Sequence, residues 1–269
     1  MKVSPDLRRR TISALIMVPV VLGVTYFGGL PFVALWMIAA AAVLHEWAHV
    51  AKLAPASAFL VIGLLGIGGG AADIYLASGS YAPLAVLAAA FACALVTRSL
   101  RSGASGVVIA ALACLPLMVL RGDDRIGLSA VLFVYAIVWC TDIGAYFVGR
   151  AVGGPKLWPR LSPNKTWSGA IGGALIGTAA GCGLLVATGL RLVPEMAAIG
   201  LVLSIAAQCG DLAESAFKRA YGVKDAGSLI PGHGGVLDRL DGFTAAAVAA
   251  LVIGLVRNID APAIGLLLW

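Results

Sequence analysis

Two stretches of this 269-residue chain gather the side chains that grip phosphates and hard cations. One begins Gln208-Cys-Gly-Asp211-Leu-Ala-Glu214-Ser215-Ala-Phe-Lys218-Arg219 and continues an apolar run. At helical spacing Asp211, Glu214, Ser215 and Lys218 share a face. Glu214 and Lys218 stand four apart and can pair; Asp211 has no such neighbour. Next comes Lys224-Asp225-Ala-Gly-Ser-Leu-Ile-Pro231-Gly232-His233-Gly234-Gly235-Val-Leu-Asp238-Arg239-Leu-Asp241-Gly242. Four glycines between 227 and 235, with Pro231, oppose a helix and let backbone N–H groups approach a ligand such as phosphate. Lys218, Arg219, Lys224 and Arg239 offer charge to phosphate oxygens, while Asp211, Asp238 and Asp241 suit a divalent ion such as Mg²⁺. Carboxylates, cations and glycines in this density are equipment for phosphoryl transfer.

The second stretch, Arg150 to Trp167, contains Ser162-Pro163-Asn164-Lys165-Thr166 ahead of a glycine-rich apolar run. Ser162, Lys165 and Thr166 near a helix N-terminus make an anion site or a simple cap, and the residues leave both readings open. Asp142, near the end of the preceding apolar run, is placed to reach the same site as both loops.

The elements that must carry these residues lie in a membrane. A 61% hydrophobic content, 12% charged residues and a mean hydropathy of +0.98 exclude a water-soluble globule. Apolar runs of roughly 17 to 23 residues suffice to cross a hydrocarbon layer of ~30 Å as helices. The alternation required of a barrel strand is missing, so the expectation is an all-α, polytopic integral membrane helix bundle. About nine transmembrane helices are expected, near 11–29, 31–49, 56–72, 82–97, 105–120, 127–148, 169–188, 194–210 and 243–257. With a cytoplasmic N-terminus, 15 of the 19 Lys and Arg fall on the cytoplasmic side, leaving Arg121, Arg125, Arg191 and Arg257 outside. Both polar loops then face the cytoplasm.

The segment after Arg8, Arg9 and Arg10 lacks a small-residue cleavage site and reads as a retained helix. The five cysteines lie in apolar stretches without CxxC spacing and read as buried thiols. Gly173, Gly177 and Gly181 line one helix face for close packing, which would also suit a homodimer. Without repeats or linkers, residues 1–269 read as a single membrane domain with its catalytic portion near 135–243.

The long pattern Ser215-x-Phe-Lys218-Arg219-x4-Lys224-Asp225-x-Gly227-x2-Ile230-Pro231-x-His233-Gly234-Gly235-Val236-x-Asp238-Arg239-Leu240-Asp241 resembles the signature of the phosphatidate cytidylyltransferase (CDP-diacylglycerol synthase) family. Gly210-Asp211-Leu212, Thr141-Asp142-x-Gly144-Ala145-Tyr146 and Ser162-Pro163-x-Lys165-Thr166 resemble further motifs of it. Ser168 departs from the family, whose members often carry Glu or Gln there. The resemblance implies attack of the phosphatidic acid phosphate on the α-phosphorus of CTP, Mg²⁺-dependent and with K⁺ beside the Mg²⁺, giving CDP-diacylglycerol and pyrophosphate. It implies metal at Asp211 and Asp238, supported by Asp241 and Asp142. Lys165, Lys218, Lys224 and Arg239 would neutralise phosphates, and Ser162, Thr166, Arg219, His233, Gly234 and Gly235 would line the substrates. The implied partners are CTP, phosphatidic acid and membrane lipids, with no nucleic acid; the implied place is a bacterial inner membrane, with the active site towards the cytoplasm. A phosphate monoester is already an anionic nucleophile, so no general base is required.

Two other readings compete. His45-Glu46-Trp47-Ala48-His49 spells H-E-x-x-H, the arrangement of an intramembrane zinc metalloprotease, with Asp241 as a distant ligand. It would leave Lys218, Arg219, Lys224 and the glycine loop without purpose. A transporter would explain the buried acids but not two basic loops on one face.

Overall fold

The computed structural model describes residues 5–76, 79–122, 124–227, 229–230 and 234–269, with side chains from residue 13 onward. Among these the chain forms ten helices and one short hairpin. In order they are α1 (Pro5–Phe27), α2 (Gly29–Val50), α3 (Ala56–Leu76), α4 (Ala82–Val96), α5 (Leu100–Arg121), α6 (Arg125–Val152), β1 (Lys156–Trp158), β2 (Ser162–Thr166), α7 (Trp167–Ala187), α8 (Pro194–Ala220), α9 (Leu237–Arg257) and α10 (Pro262–Leu267). Seven of the described helices are long and apolar enough to cross a membrane: α2, α3, α5, α6, α7, α8 and α9. The stretches Ser13–Phe27 and Ala82–Val96, where two further spans are expected, are apolar but shorter. At 1.5 Å per residue the 15 residues of α4 rise only about 22 Å, short of the hydrocarbon thickness.

The chain divides into two compact units. The first holds α1 to α5 together with Tyr221–Leu240. Its core is Phe32, Trp36, Leu44, Trp47, Phe59, Ile67, Leu117 and Leu120, contributed by α2, α3 and α5. Trp47 Nε1 donates to the Ser102 carbonyl at 2.8 Å, fixing α2 against the start of α5. Arg121, 5% exposed, donates from Nε to the Thr25 carbonyl at 2.7 Å and from Nη2 to Tyr26 at 3.0 Å. It satisfies carbonyls that the end of α1 leaves without intrahelical partners. Gly28, at φ +66°, lies under that guanidinium, and a Cβ there would come 2.7 Å from Nη2.

The second unit holds α6, the hairpin, α7, α8, the rest of α9 from Asp241, and α10. Its tightest seam joins α6 and α7. Gly173 abuts the Thr141 carbonyl and Ala145, Gly177 abuts Thr141 and Ile137, and Gly181 abuts Ile137 and Phe133. The glycine face therefore packs as expected, but within the chain, so it is not open to a second copy. Beneath the seam Thr141 and Ser204 share a buried hydrogen bond of 2.6 Å, tying α6 to α8. Arg257 donates to the Gly265 and Leu268 carbonyls and lies over the Trp269 ring. All five cysteines are free thiols, but only Cys93 and Cys114 have the burial expected for them; Cys140 and Cys182 are half-buried and Cys209 is exposed.

The hairpin is a feature that the apolar pattern does not announce. Gly153 and Gly154, at φ +66° and +99°, end α6, and the Leu161 N–H closes the turn on the Trp158 carbonyl at 3.2 Å. β1 and β2 then pair antiparallel, Lys156 opposite Thr166 and Trp158 opposite Ser162.

Candidate active site

In the second unit the hairpin delivers Lys165 to α8. Thr166, the N-cap of α7, accepts the Gly169 N–H at 3.1 Å. Ser168 donates to the Gly153 carbonyl, binding the first turn of α7 to the end of α6. Gln208 Nε2 donates to the Ala170 carbonyl at 3.2 Å and holds α8 alongside. With the C-terminal end of β2 fixed in this way, the Lys165 ammonium forms an ion pair with the Asp211 carboxylate, both side chains about one-third exposed. Lys165 and Asp211 are 46 residues apart, so sequence spacing does not connect them. Ser162 is in β2 and Thr166 is spent on capping, which favours the capping reading of that hydroxyl.

Asp241 lies within electrostatic reach of Asp211, Asp142 and Lys165. It is brought there by a close crossing: a Cβ on Gly210 would come 2.6 Å from the Asp241 carbonyl, and one on Gly242 2.7 Å from the Ala207 carbonyl. Asp142, in α6, is exposed. Three carboxylates and one ammonium thus share the ends of α6, α8 and α9 with β2. Further along α8, Lys218 pairs with Glu214 at 2.7 Å, with both side chains mostly buried, and Arg219 is exposed.

In the first unit the segment before α9 folds on its own carboxylates. Asp238 accepts the Ala226 N–H at 3.1 and 3.2 Å from its two oxygens and the Gly235 N–H at 3.0 Å. Ile230 donates to the Gly234 carbonyl at 2.9 Å, with Gly234 at φ +86°. Glu46, from α2, accepts the Val236 and Leu237 N–H groups at 2.9 and 2.8 Å. Of the loop N–H groups expected to meet a phosphate, that of Gly235 is directed at Asp238 instead. Lys224 and Arg239 are exposed. His233, expected in this loop, lies outside the described residues, as do Pro231 and Gly232.

The H-E-x-x-H run is accounted for by the same geometry. Its two imidazoles, His45 and His49, are exposed, whereas Glu46 points inward and is 2% exposed, both oxygens engaged by backbone N–H groups. A carboxylate so committed does not serve as a zinc protease base.

Among the described residues no three acidic, histidine or cysteine side chains converge to metal-ligand distance. Mg²⁺, however, keeps several of its waters and takes one or two carboxylates plus substrate phosphates. Asp211 and Asp241 are hard oxygen donors of that kind, and Asp211 is paired with the Lys165 ammonium.

The model of the Cytidylyltransferase family matches residues 8–256. The chain is 42% identical to the phosphatidate cytidylyltransferase of Brucella suis biovar 1 (strain 1330), over 93% of each chain. It is 46% identical to that of Bacillus subtilis (strain 168) over 46% of each, and 47% identical to that of Staphylococcus epidermidis (strain ATCC 12228 / FDA PCI 1200) over 44% of this chain and 45% of the other.

Proposed function

Because the chain belongs to the cytidylyltransferase family and is an integral membrane protein, we propose that it transfers the cytidylyl group of CTP to phosphatidic acid, giving CDP-diacylglycerol and pyrophosphate. A lipid phosphate oxygen attacks the α-phosphorus, a P–O bond forms, and the bond to the bridging oxygen of the β-phosphate breaks. The nucleophile needs no deprotonation, so the protein's work is to bring two polyanions together and offset their repulsion.

The observation that carries this reading within the molecule is the Lys165–Asp211 pair beside Asp241 and Asp142. Lys165 directly precedes the Thr166 cap, and its ammonium would pass from the carboxylate to a substrate phosphate. Asp211 and Asp241 would hold Mg²⁺, and the resemblance assigns Asp238 to the same task; the ion would supply charge against the triphosphate. Lys224, Arg219 and Arg239 are exposed and suit steering and binding of anionic substrates, while Lys218 enters the site already paired with Glu214. The bias of Lys and Arg supports a cytoplasmic N-terminus and cytoplasmic polar loops, on the side where CTP is.

The test is a mixed-micelle assay of the purified protein with phosphatidic acid, α-labelled CTP and Mg²⁺. Label should enter the lipid phase with release of pyrophosphate, and only when phosphatidic acid and Mg²⁺ are both present; replacing K⁺ by Na⁺ tests the monovalent ion. Failure of an intact preparation to label lipid would overturn the substrate assignment.

A further inference from the structure

The H-E-x-x-H run is the motif that the proposed reaction leaves without a role, and at its centre is the most deeply buried carboxylate among the described residues. Glu46 straddles the N-terminus of α9, one oxygen on the Val236 N–H and the other on the Leu237 N–H, 190 and 191 residues away. These are donors that a starting helix leaves unsatisfied, and the helix dipole favours a negative charge at that end. A short-range cap from Ser, Thr or Asp reaches the N–H groups of the second and third helical residues, not these two. Here the cap comes from a different helix, which ties the start of α9 to the α2–α5 core.

The loop is shaped around this side chain. A Cβ on Gly227 would come 2.5 Å from Glu46 Oε1, and one on Gly235 2.7 Å from Oε2. Two glycines of the signature pattern therefore leave room for a carboxylate from α2, and Asp238 closes the loop by taking the Ala226 and Gly235 N–H groups. Glu46, Gly227, Gly235 and Asp238 form one interlocked set, and Arg239 is the next residue on the same first turn.

We propose that Glu46 is a positioning residue for the cytidylyl transfer: it sets the first turn of α9, and with it Asp238 and Arg239, without touching substrate. This rests on the reaction proposed above. It also gives the first five helices a part in a reaction whose recognisable motifs all lie after residue 135.

The test compares full-length Glu46→Gln and Glu46→Ala proteins with the unmutated one in the labelled-CTP assay and by amide hydrogen exchange. Charge-assisted hydrogen bonds to a buried pair of donors predict a fall in kcat of roughly ten- to a hundredfold in Glu46→Gln, larger in Glu46→Ala. Exchange should rise about tenfold or more in peptides covering 234–240 and stay unchanged in α3 and α5. His45→Ala and His49→Ala, on the exposed side of the same helix, should retain activity. Unchanged kcat in Glu46→Gln overturns the proposal, as does lost activity without a local rise in exchange. A rise spread over every helix makes Glu46 a general stabilising residue and overturns it too. An inactive unmutated protein would instead overturn the reaction itself, while the exchange comparison still reports on the Glu46 contact.

Discussion

At the scale of single residues, the proposed chemistry turns on charges that neutralise one another before any substrate arrives. Lys165 and Asp211 are such a pair, and each restrains the other. Asp211→Asn should lower turnover at least ~100-fold, the order expected for losing one charge-stabilising group at a reacting phosphate, and Lys165→Ala should do likewise. Because the two act together, the double variant should be little worse than either single one. Steady-state kinetics in micelles decide this: fully multiplied losses would mean that the pair is not a unit. The sequence announces Asp211 and Lys165 separately, through a glycine-rich signature and a Ser-Pro-x-Lys-Thr loop. It does not announce their contact, because the hairpin that joins them depends on two positive-φ glycines and a turn of three residues. Glu46 is misleading in sequence for the opposite reason: its neighbours spell a metal motif, and only burial reveals that the carboxylate faces away from both histidines.

At the scale of elements, the α6–α7 seam illustrates what periodicity conveys well. Three glycines at four-residue spacing predict a close helix contact, and the contact is there. Its partner is not predicted, since any helix with small or hydroxylated residues could have met that face. A direct consequence follows for substitutions. Gly177→Ala forces a Cβ onto Thr141, whose hydroxyl is already engaged with Ser204, and should destabilise by about 1–3 kcal/mol through overpacking. Gly183→Ala, on the same helix but with nothing within 4 Å of its added Cβ, should be neutral or stabilising by up to ~1 kcal/mol from helix propensity. Thermal unfolding in detergent separates the two; equal midpoints would show that the seam can shift to absorb a methyl group. Helix ends are less legible than faces. α8 runs ten residues past the expected end of its membrane span, as the helical spacing of Asp211, Glu214 and Lys218 implies, but the apolar pattern does not mark Ala220 as the end.

At the scale of the whole molecule, composition alone settles that the chain lives in a membrane, and charge bias proposes which way it faces. The hairpin and the α7–α8 turn lie at opposite ends of α7 and offer a direct test. In a cysteine-free background, Arg160→Cys should react with an impermeant maleimide from the cytoplasmic side, and Leu192→Cys from the other. Labelling with the sides exchanged would invert the topology and put the acidic cluster where CTP is not supplied. The two cations Arg121 and Arg257, left outside by that bias, are occupied with helix-end carbonyls, so their position has a structural reason beyond topology.

One dimension of α8 has a wider meaning for how such an enzyme meets its lipid. Its 27 residues rise about 40 Å, whereas the hydrocarbon layer is about 30 Å thick. With that excess at the polar C-terminal end of the helix, Asp211 to Arg219 would stand in the headgroup zone, at the height of phospholipid phosphates. A lipid acceptor can then arrive by lateral diffusion with its tails still in the bilayer, so the search is two-dimensional. The quantity that governs saturation becomes the mole fraction of acceptor in the surface: diluting it with inert lipid slows the enzyme, while diluting the whole suspension does not.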